Sequence, residues 1–428
     1  MPDLISESYW KQGVDKPAGD QGNLPTECDV AIIGAGFTGL TAALHLARAG
    51  RSVTVFEAHD IGHGCSGRSG GMCGPSFHKL GLQGLTKRYG EAKAWEILRE
   101  SLASLDFFFS FVEAEGIDCD LQLVGRFRGA ATAREYNALV KDSTLLADKI
   151  GLKFHPVPRD MQKAEIGTDL YHGGVVYERD AGLNPYKLVT GIATRAIVAG
   201  AHVFENCAVL GIDHTGSVKT LRTVRGEIRA KTVIIATNGY TGPEFPYFRR
   251  RLIPVTAGVV ATEDLGIKKI REISPKLRMH GGTHRLVFWY RPTPDGKRMI
   301  FGGRVMDRKR RPGPVSNDLM VLARRVFPQL EDARAEYCWH GDVAYTFDHA
   351  PHLGEADGIH YAMGYCGSGI TRSIYFARQL SRKILGQADD TTAHDDLKFT
   401  TLPFYSGNPW FMPFVLRWHA LMDKLAGH

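Results

Sequence analysis

Residues 28–57 constrain this chain more than any other stretch. Cys28–Ile33 is a short apolar run rich in β-branched side chains, the pattern of a strand buried on both faces. Gly34-Ala35-Gly36-Phe37-Thr38-Gly39 follows at once, and Leu40–Ala49 then repeats Ala and Leu at helical spacing until Gly50 stops it. Ser52–Glu57 reads as a second strand that ends on an acid. A G-x-G-x-x-G alone is weak, but between a strand and a helix each glycine has a task. The first permits the tight turn, the second lets backbone approach a pyrophosphate, and the third lets helix and strand pack closely. The pyrophosphate then meets a helix N-terminus, where free N–H groups and the dipole favour an anion. The Glu57 carboxylate suits an adenosine ribose 2′-hydroxyl and repels a 2′-phosphate, which argues against NADP.

Two further glycine-rich turns bear on which dinucleotide is held. Gly64–Gly71, GCSGRSGG, comes soon after Glu57. Arg68 is placed to pair with phosphate, and the glycines let backbone pass close to a flat ring; a nicotinamide enzyme needs no such loop here. Gly364–Gly369, GYCGSG, again joins a strand to a helix. Its N–H groups suit a developing negative charge such as that on a reduced flavin. Gly34–Gly39 and Gly364–Gly369, two strand-to-helix turns far apart in sequence, fit one long cofactor held at both ends, FAD. No second G-x-G-x-x-G is present for NAD(P)H, which disfavours a reductase or monooxygenase fed by nicotinamide.

The 428 residues exceed one ordinary domain. Helices are expected over 91–116, 133–151 and Thr190–Ala199, the last followed by a strand at His202–Asn206. Thr232–Thr237 reads as a buried strand, and 253–262, 285–291 and 298–304 alternate as antiparallel strands do. A last strand, Tyr361–Met363, leads into a long helix, Gly369–Leu385. This order predicts an α/β chain in which a nucleotide domain (28–75, 173–245 and 336–390) is interrupted twice by an α+β substrate domain (76–172 and 246–335). An irregular lead-in occupies 1–27. The tail, 391–428, is expected to pack its amphipathic stretch Trp410–Leu425 on the body as a helix.

The seven cysteines are odd in number and lack C-x-x-C spacing, so no zinc cluster or disulfide framework is read, and a reducing cytoplasm is the simplest home. Met1–Thr26 has no apolar core of a signal peptide, and no apolar run approaches the ~18 residues of a membrane span. The net charge of +7 is scattered. Its densest run, Arg304–Arg311, reads as a solvated loop or as a funnel for an acidic substrate; with no aromatic stacking platform beside it, it is not a nucleic-acid site.

DVAIIGAGFTGLTAALHLARAG, VFEA, GCSGRSGG, WHGDVAYTFDHAPHLG and GYCGSGITRS, in this order, resemble the D-amino-acid-oxidase-like FAD-dependent oxidoreductases, and within them the γ-glutamylputrescine oxidase-like branch. That branch has Asn where this chain has Ser69. The resemblance spans roughly 25 to 390. It implies a glutathione-reductase-type, Rossmann-like FAD domain interleaved with a substrate domain built on an antiparallel sheet, and oxidation of a C–N bond in an amine or amino acid. Carried over by position, Gly34, Ala35, Gly36, Phe37, Thr38, Gly39, Glu57, Ala58, Ser66, Arg68, Ser69, Gly70, Gly71 and Met72 would bind FAD, with Val209 near the adenine. Thr237 and Asn238 would border the cofactor, and Gly367, Gly369, Ile370 and Thr371 would approach the flavin's pyrimidine end. Relatives tether flavin through a His where Arg68 stands, or through a Cys near Cys338; a buried thiol at Cys338 and non-covalent FAD are expected here. Where some oxidases place a Lys above the flavin, this chain offers Met299 or Ile300, which leaves O2 or another electron acceptor open.

Amine oxidation by flavin needs the neutral amine held with its α C–H ~3–3.5 Å from the accepting atom, for hydride transfer to flavin N5. The imine then hydrolyses in water. The protein supplies orientation and electrostatics, and no acid–base triad is assigned. Substrate-positioning candidates are Trp289, Tyr290, Arg291 and Arg304 on the expected strands, Tyr345 and His352 around Asp348, and His78 after the arginine loop. Arg291 and Arg304 are the natural anchors for an acidic amine. Two alternatives stand beside this reading: 2-hydroxy-acid oxidation on the same scaffold, and a flavin-bound subunit of a multi-subunit dehydrogenase.

Overall fold

The computed structural model describes residues 4–425 except 214, 215, 217, 285–287, 305–310 and 388–390. It is a mixed α/β fold built around two sheets. The opening unit is β1 (Glu27–Ile33), α1 (Phe37–Arg48) and β2 (Val53–Phe56). Later strands that matter to the site are β3 (Gly226–Ile235), β4 (Ile253–Thr262), β5 (Met299–Arg304), β6 (Ala335–Tyr345) and β7 (Ile359–Met363). The helices α2 (Gly369–Ile384) and α3 (Met412–Leu425) close the described chain.

The first sheet runs His352–Ala356, β7, β3, β1, β2, His202–Phe204. Along this path all neighbours from β7 onward pair in parallel, with Ile33 opposite both Ile235 and Phe56, while Lys219–Thr223 joins β3 antiparallel and carries Val209–Asp213. Val30–Ile33 are buried, as a central parallel strand requires. α1 packs between α2 and the helix Pro185–Val198, and Leu40–Leu44 and Leu46 are fully buried. A helix enclosed on all sides is apolar all round, which is why its Leu and Ala pattern is so dense. The carboxyl ends of β1, β3 and β7 finish side by side, bringing Gly34, Ala236–Asn238 and Gly364 to one edge. In parallel sheets ligands bind outside such ends.

The second sheet runs β6, β4, β5, Phe288–Pro292, Met279–Gly282, Arg126–Gly129, Gly174–Tyr177, Phe154–Val157. It is antiparallel except where Met279–Gly282 meets Arg126–Gly129. The helix Pro312–Val326 covers one face, with Val260, Phe301 and Cys338 in the core between them. By the two-residue period of a strand, Val255, Ala257 and Val259 of β4 and Gly341, Val343 and Tyr345 of β6 turn the other way, into a cavity.

Three expectations about elements change. The helix expected from Thr190 starts at Pro185, because the Asn184 side chain accepts from the Tyr186 and Lys187 N–H groups and proline suits the first turn. The strand Met279–Gly282 was not expected, since half of it is glycine. The strand expected over 285–291 is seen as Phe288–Pro292, its first three residues lying outside the described ones. Among the described residues no helix is long and apolar enough to cross a membrane.

Candidate active site

Three glycine-rich turns converge on a cavity of ≈ 1250 Å³ between the two sheets. At the first, Gly34 has φ +107°, a conformation other residues rarely adopt. A Cβ on Gly39 would stand 1.9 Å from the Gly34 carbonyl oxygen, so only glycine lets α1 sit this close to its turn. Gly34, Gly36, Phe37 and Thr38 line the cavity, so the first turn of α1 opens on it with donors no helix can satisfy internally. Glu57 and Ala58 line the same end, beside Val209. One Glu57 oxygen accepts from Ala35 N (2.8 Å) and the other from His59 N (3.1 Å), which fixes the carboxylate; burial pushes its pKa up and these bonds oppose that. His59 stacks on His63 at 4.1 Å, and burial with the neighbouring Arg68 pushes the His63 pKa down to about 4, so that ring is neutral.

The second turn is anchored from several sides. Ser66 Oγ accepts from Phe37 N (3.0 Å), joining the loop to α1. Ser8 Oγ donates to Gly67 O and Trp10 Nε1 to Ser69 O (2.8 Å), so the lead-in, expected to be irregular, buckles the loop down. Ser66, Arg68, Ser69, Gly70 and Met72 line the cavity. Arg68 donates to His340 O of β6 (3.0 Å). The third turn carries Cys366 at φ +53° and Gly367 at φ +85°. Tyr365 hydroxyl bonds Thr38 Oγ1 (2.8 Å), and Asn238 Oδ1 accepts from Gly364 N (2.9 Å). Thr237, Asn238, Gly367, Gly369 and Ile370 all face the cavity.

Four expected cofactor residues do not reach the cavity wall. Ala35 spends its N–H on Glu57, Gly39 faces Gly34, Gly71 backs onto Leu183 O, and Thr371 donates to Gly74 O (3.2 Å) from a fully buried position.

Three substrate candidates do not line the cavity. Arg291 is 2 % exposed, and its guanidinium donates to the Gly71, Leu183 (3.0 Å) and Pro292 (3.0 Å) carbonyls, so it clamps the arginine loop and is closed to ligand. Burial lowers its pKa to about 10, and among the described residues it forms no ion pair. Tyr290 is fully buried in the second core with its hydroxyl on that of Tyr171 (2.7 Å). His352 is buried against Phe399 and bonds Asp348 (3.1 Å), away from the cavity. Arg304 ends β5 opposite Ala257, but its side chain and residues 305–310 of the basic run lie outside the described ones.

Tyr345, His78 and Trp289 do line the cavity. Trp289 is wedged between Gly70 and Gly302, where a Cβ would stand 2.4 and 1.9 Å from its ring. His78 Nδ1 accepts from Leu80 N (3.1 Å), and burial, then Arg372, lowers its pKa to about 3. The ring is therefore neutral with its proton on Nε2, a buried atom that has no partner among the described residues. Sequence reasoning missed Asp180. It lines the cavity, 2 % exposed, with Arg126 Nε 2.8 Å from one oxygen as an ion pair not aligned as a hydrogen bond. Burial raises its pKa to about 6, opposed by Arg126. Its signal was a lone Asp before the Ala181-Gly182 strand, indistinguishable in sequence from a turn residue.

Residues 29–383 match the family model of DAO, FAD dependent oxidoreductase. The chain belongs to this family. It is 30% identical over 427 residues to gamma-glutamylputrescine oxidoreductase of Escherichia coli (strain K12), covering 98% of this chain and 99% of that one. Its fold matches glycine oxidase from Geobacillus kaustophilus with a TM-score of 0.71 at 22% identity, over 88% of this chain and 99% of that chain. It also matches L-proline dehydrogenase from P. horikoshii with a TM-score of 0.72 at 19% identity, over 92% and 99%. The family's cofactor is FAD, and the cavity fits it: a helix N-terminus and glycines for phosphate at one end, a fixed carboxylate for ribose, and small-residue turns on either side of a flat slot. Cys338 lies in the second core, its thiol on Pro312 O (3.3 Å) and its pKa pushed up to about 12 by burial. Acid precipitation is expected to release all the FAD into the supernatant, equally from wild type and Cys338→Ser; colour retained in the wild-type pellet alone would show a cysteinyl bond.

Proposed function

We propose that this enzyme oxidises a C–N bond of a primary or secondary amine or an amino acid, giving an imine that hydrolyses to aldehyde or keto acid plus amine or ammonia. The observation that carries this reading is the cavity itself, where three cofactor-type turns meet an apolar wall bearing one buried carboxylate, Asp180. The relatives named gamma-glutamylputrescine oxidoreductase and glycine oxidase support the substrate class. In this reading the first sheet is the FAD module and the antiparallel sheet roofs the substrate. Bound FAD supplies the two-electron acceptor for hydride.

The chain's own residues do the rest. Val255, Ala257 and Val259 exclude water and favour the neutral amine over the ammonium. The Tyr345 hydroxyl orients polar substrate atoms, while Asp180 attracts the cation on its way in. An acidic substrate would be met by Arg304, and Arg304→Ala would then raise KM for acidic amines more than for neutral ones. Anaerobic mixing of the holoenzyme with a panel of primary and N-methyl amines, amino acids and 2-hydroxy acids tests the proposal. Bleaching of the visible flavin bands by an amine or amino acid is expected; bleaching by hydroxy acids alone would overturn it.

Asp180 sets a pH dependence. Its folded pKa of about 6 lies above the ordinary 3.8, so the ionised form costs stability. That cost is absent below pH 3.8 and complete above 6, so Asp180→Asn should melt higher than wild type at pH 7, with the gap closing by pH 4. Flavin reduction at low substrate should fall up to about tenfold as the wild type passes from pH 7 to 5 and Asp180 protonates. Asp180→Asn should be slow and flat across that range. A wild-type profile without a step there would remove Asp180 from substrate attraction.

A further inference from the structure

One face of α3 is turned inward. Phe411 and Met412 meet Ile253, Val255 and Tyr405, Leu416 is buried, and Phe411, Met412 and Val415 line the cavity. The opposite face is apolar too. Phe414, Trp418 and Leu421 are 66, 60 and 49% exposed, and their spacing places them in one stripe along the helix; Trp410, 67% exposed, lies just before its first turn. Phe404, fully exposed, and Leu402 extend the patch at the helix's approach. Large contiguous apolar patches are uncommon on isolated proteins and mark an interaction surface.

The charges around the stripe say what it meets. From Lys398 to Met422 the sequence has no Asp or Glu, while Lys398 and Arg417 are exposed. The tail is fastened to a run of arginines: Arg249 donates to Ser406 O (3.2 Å), Arg251 to Phe399 O (2.8 Å), and Arg250 is exposed between them. Tryptophans on an apolar helix face, with cations beside it and a single acid, Asp423, near the helix's end, match the headgroup boundary of an anionic membrane: aromatic rings settle at that depth and basic side chains meet the lipid phosphates. We infer that the outer face of α3 docks this enzyme on an anionic lipid bilayer, lying in the interface without spanning it. α3 then stands between the bilayer and the cavity, which its inner face walls.

The test is co-sedimentation of the full-length FAD-loaded protein with phosphatidylcholine vesicles, with and without phosphatidylglycerol. The wild type should pellet with the phosphatidylglycerol vesicles, its tryptophan emission should shift to the blue, and salt should release it. Trp410→Ser/Phe414→Ser/Trp418→Ser should bind at least about tenfold more weakly while keeping its visible FAD spectrum. Arg417→Glu, which keeps the stripe, should weaken binding to the anionic vesicles and leave the spectrum unchanged. Wild-type protein left in the supernatant with phosphatidylglycerol vesicles, or a triple variant that pellets like wild type, would overturn the inference. So would a concentration-dependent dimer abolished by the triple variant, which would give the face to a second copy of the chain.

Discussion

Gly39→Ala is expected to purify without colour. The new methyl would stand 1.9 Å from the Gly34 carbonyl, a backbone atom that cannot rotate away. α1 is enclosed on every side, so it cannot simply back off either. Overpacking of this kind costs ~1–3 kcal/mol and occasionally more. The greater loss is functional, because the displaced helix carries the N–H groups that would hold the pyrophosphate. The ratio of flavin to protein absorbance should drop at least about tenfold, with a lower Tm. Gly50→Ala is the control. Its φ of +79° makes alanine strained there, yet nothing lies within 4 Å, so it should lose stability and stay yellow. Gly39→Ala protein that keeps its FAD would mean that the cofactor does not depend on this turn.

Arg291→Met should be a stability variant that leaves substrate preference alone. The guanidinium ties Gly71 and Leu183 to the strand Phe288–Pro292, and Trp10 lies 5.5 Å from it. Charged hydrogen bonds of this kind are worth ~1.5–3 kcal/mol each, partly offset by relief from burying a charge. A net loss of about 2–4 kcal/mol is expected in denaturant unfolding, with weaker FAD retention as the arginine loop loosens. The ratio of kcat/KM for acidic and neutral amines should not change. A selective loss of the acidic substrates would restore Arg291 to substrate binding.

The contrast between these residues shows what sequence can carry. Gly34, Gly36, Gly39 and Glu57 sit within one β-α-β unit, where spacing alone dictates geometry. Arg291 was legible as a cation on a strand but not as one facing inward, because a strand's two faces differ only in what the rest of the fold places against them. His352 and Tyr290 were misplaced for the same reason. Asp180, Trp10 and the Asn238–Gly364 bond depend on neighbours far away in sequence, and no local pattern marks them. The tail's amphipathicity was visible, but a helix that is apolar on both faces reads much like one that is apolar on the inside.

The sheet order also has a temporal consequence. β1 and its neighbour β2 leave the ribosome early, but the strand on β1's other edge, β3, follows only after residue 225, and β7 after residue 358. Asn238 cannot engage Gly364, nor Thr38 engage Tyr365, until most of the polypeptide has been made. The nascent chain therefore carries half a cofactor site through most of its synthesis, β1 paired with β2 on one edge and its other edge waiting for β3. Parallel pairing over such separations is slow and exposes hydrophobic edges meanwhile. FAD can act only on the finished polypeptide, as the ligand that draws the last-made strand against the first, so flavin-starved cells should accumulate this enzyme as aggregate or degradation product and not as a stable apoprotein.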